Sequence, residues 1–268
     1  MKTSLAVCTF VVLSIVSLAN AMELDALLSK ARAYHGDKLA KIEDMVIEYT
    51  GMVNDPSGKA AAITSTLTRA GELWRMDAMI SMGGEDAKPG QGMSMETVVL
   101  YDGKEVWTSV MGMKMKTPKD QAMEKMSFAQ YWDEPPVGST VLGEETVNGR
   151  DCYLVEHPKS EFVEHPVKMW IDKEYFVNVQ SETYASGKLM KTVFSDFKPA
   201  DGDYVIPYKS EVFSDGTKMV DVTIAKVLVN KGVDTALFDA SKLEGGSMDL
   251  DLQKLMKEAG KMKQSQGK

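Results

Sequence analysis

The sequence predicts a mostly β protein with a few α-helices, organised as one large curved antiparallel sheet or barrel. Three observations lead there. Segments 42–53, 62–70, 72–82, 95–101 and 105–115 alternate apolar and polar side chains or run β-branched, and the pattern resumes from 138 to 228. Two-residue turn signals separate these runs: Asp102-Gly103, Asn148-Gly149, Ser186-Gly187 and Asp215-Gly216, with Asp201-Gly202 marking a further turn. No solenoid or propeller period repeats along the chain.

The elements follow in order. Residues 1–21 have the form of a cleavable export signal: Lys2, an apolar run over 5–18, and the small-residue site Ala19-Asn20-Ala21. The run is too short for a membrane span, and Cys8 within it lacks the neighbours that lipid attachment needs. An exported, periplasmic or secreted chain is expected. Over 23–35, Leu24, Leu27, Leu28, Ala31 and Tyr34 recur at helical spacing, with Gly36 placed as a C-terminal cap. Strands then dominate. A polar, glycine-rich loop at 83–92 interrupts them, as does a short helix at 118–132 that ends before Pro135-Pro136. After Gly245-Gly246, an apolar stripe of Met248, Leu252, Leu255, Met256, Ala259 and Met262 among lysines predicts a basic amphipathic helix over 246–268. The expected domain is therefore 22–245, between a leader and a tail.

Composition narrows the function. With 31 Lys and Arg against 39 Asp and Glu, the net charge of −8 disfavours a nucleic-acid partner, because phosphate binding needs a basic face. Cys152 is the only cysteine after the leader, so no internal disulfide forms, and a buried structural thiol is expected. The anomaly is sulfur: 20 Met against 8 Phe. Strand periodicity puts much of it on one side. Met45, Ile47, Tyr49 and Val53 share a face. So do Trp74, Met76, Ala78, Ile80 and Met82, opposite Arg75 and Asp77. Read as one strand, 105–115 sets Trp107, Met111, Met113 and Met115 against Lys104, Thr108 and Lys114, and Val167, Met169 and Ile171 alternate with Lys168 and Asp172. Methionine is flexible and polarizable and suits a surface that accepts more than one shape. These residues form the expected apolar, ligand-binding face: Met45, Ile47, Tyr49, Trp74, Met76, Ile80, Met82, Trp107, Met111, Met113, Met115, Met169 and Ile171.

Two other chemistries compete with this reading. Soft thioethers hold Cu(I), and Met111, Met113 and Met115, with Met93, Met95 and the three histidines, could supply ligands. The Trp and Ile on the same faces favour an oily lining, and no metal or other cofactor is expected. Catalysis has no recognisable constellation: no H-E-x-x-H, no G-x-S-x-G and no P-loop spacing occur. The carboxylates around His157 and His165 read as a solvated face. The chain is not expected to be an enzyme.

Several short words in the chain are familiar as a set. An initial helix and long strand lead to Tyr101-Asp102-Gly103-Lys104-Glu105-Val106-Trp107. Lys168-Met169-Trp170-Ile171-Asp172 and a hairpin through Ser186-Gly187 follow. Phe194-Ser195-Asp196-Phe197, a strand opened by Pro207, and Val229-Asn230 before Leu237-Phe238 complete the layout. Over about residues 22–243 this resembles the outer-membrane lipoprotein-sorting (LolA-like) superfamily of periplasmic proteins. The resemblance implies an incomplete, strongly curved antiparallel β-barrel whose concave apolar side is closed by helices. It also implies a carrier or sensor of lipid or lipoprotein acyl chains, a monomer with an inner-membrane donor and an outer-membrane acceptor. The expected function is periplasmic acyl-chain binding. A Met-based copper protein and a lipid-sensing regulator of envelope stress are the alternatives.

Overall fold

The computed structural model describes residues 23–54, 60–82, 93–117, 135–160, 163–201 and 204–243. The expected leader, the 83–92 loop, the 118–132 helix and the 246–268 tail lie outside the described residues.

Among the described residues one α-helix, α1 (Leu24–Leu39), precedes thirteen strands. These are β1 (Asp44–Asn54), β2 (Ala60–Ala70), β3 (Leu73–Met82), β4 (Met93–Tyr101), β5 (Val106–Val110), β6 (Met113–Thr117), β7 (Thr140–Val147), β8 (Arg150–His157), β9 (Val167–Asp172), β10 (Asn178–Ala185), β11 (Lys188–Asp201), β12 (Tyr204–Ser214) and β13 (Thr217–Val229). All join one antiparallel sheet in the order β6-β5-β4-β3-β2-β1-β13-β12-β11-β10-β9-β8-β7. Hairpins account for every neighbour pair except one. β1 pairs with β13, from Met45↔Val229 to Val53↔Val220 with a register shift between Glu48 and Tyr49. That single long-range pairing makes β6 and β7, consecutive in the chain, the two opposite edges. The curved sheet is not closed into a barrel.

The central seam is locked by side chains that satisfy backbone groups at the strand ends. Asn230 Oδ1 accepts from Glu43 N at 2.8 Å, and its Nδ2 donates to Lys41 O at 2.7 Å. The Asp44 carboxylate accepts from the backbone N–H of Lys231 and Gly232, both at 2.9 Å. Further along the seam, Gly51 allows close approach: a Cβ there would meet Asp221 O at 2.1 Å.

The turn chemistry explains the hairpins and one correction. Asn148-Gly149, Ser186-Gly187 and Asp215-Gly216 carry positive φ at both residues (52° and 77°, 52° and 76°, 46° and 79°), the geometry that matches strand twist. Met111-Gly112 does the same, with φ of 50° and 78°. Residues 105–115 are therefore not one strand but the β5–β6 hairpin, with Val110↔Met113 and Thr108↔Met115 as cross-strand pairs. The sequence concealed this turn because methionine is a poor left-handed residue.

A second correction concerns α1. Gly36 does not cap it; the helix runs on to Leu39, and the N–H of Ala40 bonds back to Gly36 O. One interior glycine costs about 1 kcal/mol. Contacts of the last turns oppose that cost: His35 Nε2 lies 3.1 Å from Phe176 O across the fold, and within the helix Lys38 stacks on Tyr34.

Two covers pack on opposite faces. On the inner face, α1 sets Leu27, Leu28 and Ala31 against Tyr153, Val155 and Ile171. On the outer face, 3₁₀ turns at Thr235–Phe238 and Ala240–Lys242 bring Ala240 and Leu243 onto Val98 and Leu100, beside Trp107. Arg75 donates to Leu237 O at 3.1 Å and the Lys114 ammonium to Ala240 O, fastening that strap. A second outer cluster joins Cys152, Leu154, Trp170 and Val179. Cys152 is fully buried, and burial pushes its thiol up to about 11, so it is an inert core group.

Candidate ligand cavity

Cross-strand register assigns faces, since directly paired residues share one. Starting from Ile47, the inner face continues through Leu67, Met76 and Val99 to Thr108 and Met115 on one side, and reaches Val227 on the other. Beneath α1 it carries Val155↔Met169 and Tyr153↔Ile171.

In the middle of this face is a cavity of about 420 Å³, within the size range of ligand sites. Ile47 and Tyr49 of β1 form one wall with Val222 and Ile224 of β13. Tyr204, Ile206 and Tyr208 alternate along β12 and, with Phe194 of β11, form the opposite wall. Met169 and Ile171 of β9, the Phe176–Asn178 turn and His35 of α1 close the end.

The cavity carries almost no charge. Lys209 is the one formally charged residue among its described lining residues. Its ammonium pairs with Glu211 at 3.2 Å and Asp221 at 3.5 Å on the outer face. Burial raises the Tyr49 phenol to about 12 and pushes Tyr204 up as well, so both stay protonated at neutral pH. Desolvation lowers His35, helped by the nearby Lys38, against the bond to the Phe176 carbonyl, so the imidazole is neutral. An ion deep in such a site would lose its hydration without a counter-charge, whereas an alkyl chain loses nothing polar.

The structure distributes the predicted residues unevenly. Ile47, Tyr49, Met169 and Ile171 line the cavity. Met45 is 2% exposed and packs with Ile47 and Leu67 next to it, with Met76 against the same cluster. Trp74 and Ile80 occupy inner-face positions on β3, by their pairing with Arg69 and Ile63, but outside the cavity; Met82 pairs with Ala61. Met113 and Met115 reach the inner face at the far edge. Two placements are corrected. Trp107 lies on the outer face with Leu100 and Lys114, whose ammonium is 4.6 Å from its ring. Met111 sits in the hairpin turn, 63% exposed. The turn reverses the strand, so side chains of one parity before it face opposite to those of the same parity after it. The thioethers of Met111, Met113 and Met115 therefore do not share one strand face.

Sequence reasoning missed the aromatic wall of β11 and β12. The alternation Tyr204, Ile206, Tyr208 was legible, but sulfur drew the attention. Phe176 stands at φ 51° in a turn and had no sequence signal at all. Among the described residues, no group of three His, Cys, Asp or Glu could hold a metal ion, and no helix is long and apolar enough to cross a membrane.

An open, single-sheet half-barrel with an apolar hollow under one helix is the LolA-like architecture, and solved structures share it. A DUF1329 family protein from Desulfovibrio piger superposes with a TM-score of 0.57 at 15% identity, over 82% of this chain and 98% of that one. A domain described as outer membrane lipoprotein-sorting, from Vibrio parahaemolyticus, gives 0.51 at 13% identity, over 81% and 99%. A LolA superfamily protein from Nitrosomonas europaea gives 0.51 at 13%, over 81% and 98%. No curated protein matches by sequence. A family model described as "Uncharacterized protein" matches residues 108–245, just over half of the chain, and the chain belongs to that family.

Proposed function

We propose that this protein is an exported, non-enzymatic binder or carrier of lipid or lipoprotein acyl chains, acting in the periplasm between membrane-bound donor and acceptor proteins. The observation that carries the reading is the cavity: a hollow of about 420 Å³ walled by Ile, Val, Met, Phe and protonated Tyr, with no unpaired charge among its described lining residues. Burying hydrocarbon contributes about 0.8 kcal/mol per methylene, so a chain of ~15 methylenes gains on the order of 12 kcal/mol before ordering costs. That is enough to hold a tail away from water. A membrane offers a similar gain, so the tail can also be released. The LolA-like fold and the export-type leader support the same reading.

The test is native mass spectrometry and lipid extraction of the protein purified from an envelope fraction, beside Val222→Trp, which fills the cavity with an uncharged side chain. Bound acyl lipid in the wild type and its loss in Val222→Trp are expected. A lipid-free wild type that also takes up no acyl probe when titrated would overturn the reading.

A further inference from the structure

Across β1 to β6 the inner face is uncharged with one exception. Its positions are Met45, Ile47, Tyr49, Gly51 and Val53 on β1, and their paired counterparts outward to Met113 and Met115 on β6. The outer face of the same strands carries Glu48, Arg75, Asp77, Glu96, Lys114 and Lys116. The exception is Arg69, opposite Met45 on one side and Trp74 on the other. A lone guanidinium on an apolar face carries a desolvation cost, and burial lowers the Arg69 pKa.

Two further groups converge on it. Trp74 is 3% exposed, and its indole N–H is buried with no hydrogen-bond acceptor among the described residues. Directly paired strand neighbours have Cβ atoms about 5 Å apart, so Trp74 and Arg69 are side-by-side residues of the inner face. The other is Tyr204 of β12, within electrostatic reach: the Arg69 charge opposes the rise that burial gives its phenol. Tyr204 is itself a wall of the acyl cavity and stacks edge-on with His35, their ring centroids 6.1 Å apart. Of Arg69's five N–H donors, Nε is used on Gly71 O at 2.7 Å, and no ion pair to the guanidinium occurs among the described residues. Glu72, at the exposed turn, is the acid whose charge it feels. This stretch of the inner face, which meets the cavity at Tyr204, is thus supplied with donors and has no carboxylate bonded to them among the described residues.

We infer that Arg69, Trp74 and Tyr204 form a head-group subsite for an oxyanion, a phosphate or carboxylate, carried on the acyl ligand whose tail occupies the cavity. The subsite rests on the acyl-binding reading and adds the ligand's class: an anionic amphiphile rather than a neutral one. Arg69 presents its terminal nitrogens as a fork to two oxygens, the geometry in which guanidinium binds oxyanions best. The Trp74 N–H and Tyr204 O–H add two donors. The uncharged cavity beyond them accepts only the tail, so head and tail are sorted by charge.

The experiment titrates the full chain, delipidated, with three probes of identical tail below their micelle concentrations: oleate, oleoyl lysophosphatidate and monoolein. Wild type is expected to bind an anionic probe about tenfold tighter than monoolein, the worth of one charge-assisted pair. The preferred anion separates a carboxylate source from a phosphate one. Arg69→Gln is expected to erase that preference and leave monoolein binding within about twofold, with Arg69→Lys recovering part of it. Trp74→Phe keeps the ring and removes the N–H, and serves if Arg69→Gln does not fold; a smaller loss confined to the anions is expected. Equal binding of all three probes by wild type overturns the subsite alone. So does a preference that survives both Arg69→Gln and Trp74→Phe, or an equal loss of all three probes in folded Arg69→Gln. Failure of wild type to bind any probe overturns the acyl-binding reading and the subsite with it.

Discussion

The two halves of the sheet solve the same problem in opposite ways. In β7 to β13 the inner face is covered: α1 lies on Tyr153, Val155 and Ile171, and the hollow beside it is walled by aromatic residues. In β1 to β6 the described cover lies on the outer face, where Ala240 and Leu243 press on Val98 and Leu100. Inner-face side chains such as Ile63, Met76, Ile80, Met95 and Val99 remain only half-buried. The lesson concerns sulfur. Methionine is concentrated on the half without a described inner cover, whereas the cavity is built from Tyr, Phe, Ile and Val, with Met169 its only methionine among the described lining residues. Rigid rings define a hollow; flexible thioethers suit a surface that changes shape.

The comparison can be broken most strongly at its covers. Leu27 is fully buried under α1, so Leu27→Ala is expected to cost about 3 kcal/mol in urea unfolding, while Met113→Ala on the half-open side changes stability by less than ~0.5 kcal/mol. Equal costs would mean that the two halves are covered alike. A comparable effect is expected from Asp172→Ala, on the outer side of the covered half. Asp172 is 2% exposed, bonds Arg150 at 2.7 Å and accepts the backbone N–H of Glu174 and Tyr175. Its removal strands Arg150 and is expected to cost about 3 kcal/mol by the same assay.

A smaller effect sharpens the hairpin at the other edge. Met111→Asn converts the turn to Asn-Gly and relieves a left-handed methionine, so a gain of about 1 kcal/mol is expected in thermal unfolding. A loss there would return residues 105–115 to a single strand.

The smallest effect is a pH dependence at the junction of helix and cavity. Burial, chiefly, holds His35 below its ordinary value of 6.5. The unfolded chain therefore takes up the proton first, and stability falls as pH drops below 6.5 until the folded-state pKa is passed, where the loss levels off. His157 is lowered by burial too and contributes in the same direction. Unfolding midpoints between pH 7.5 and 5 are expected to decline in wild type and to decline less in His35→Gln. Parallel curves would remove His35 from the account.

Much of this architecture was legible in the residues. Alternation put Met45, Ile47 and Tyr49 on one face of β1 and Met76 and Ile80 on one face of β3, and the registers Ile47↔Leu67↔Met76 join those two faces into one. Asn-Gly, Ser-Gly and Asp-Gly pairs located the turns because few other residues tolerate positive φ. Where that chemistry was disguised, as at Met111-Gly112, the parity of the strand was lost and Trp107 was placed on the wrong side. Gly36 failed in the converse way: a cap signal overridden by the packing of His35 on Phe176.

By itself, then, the sequence determined the strands, their alternation, most of their turns and the scarcity of charge on one face, because these depend on side-chain period and local dihedral preference. Tertiary structure alone decided that β1 pairs with β13, that α1 covers one half of the inner face and the 3₁₀ strap the other half's back, and that Tyr204 of β12 comes within electrostatic reach of Arg69 on β2. Those relations join residues far apart in the chain, and no local preference encodes which distant partner buries a given apolar face.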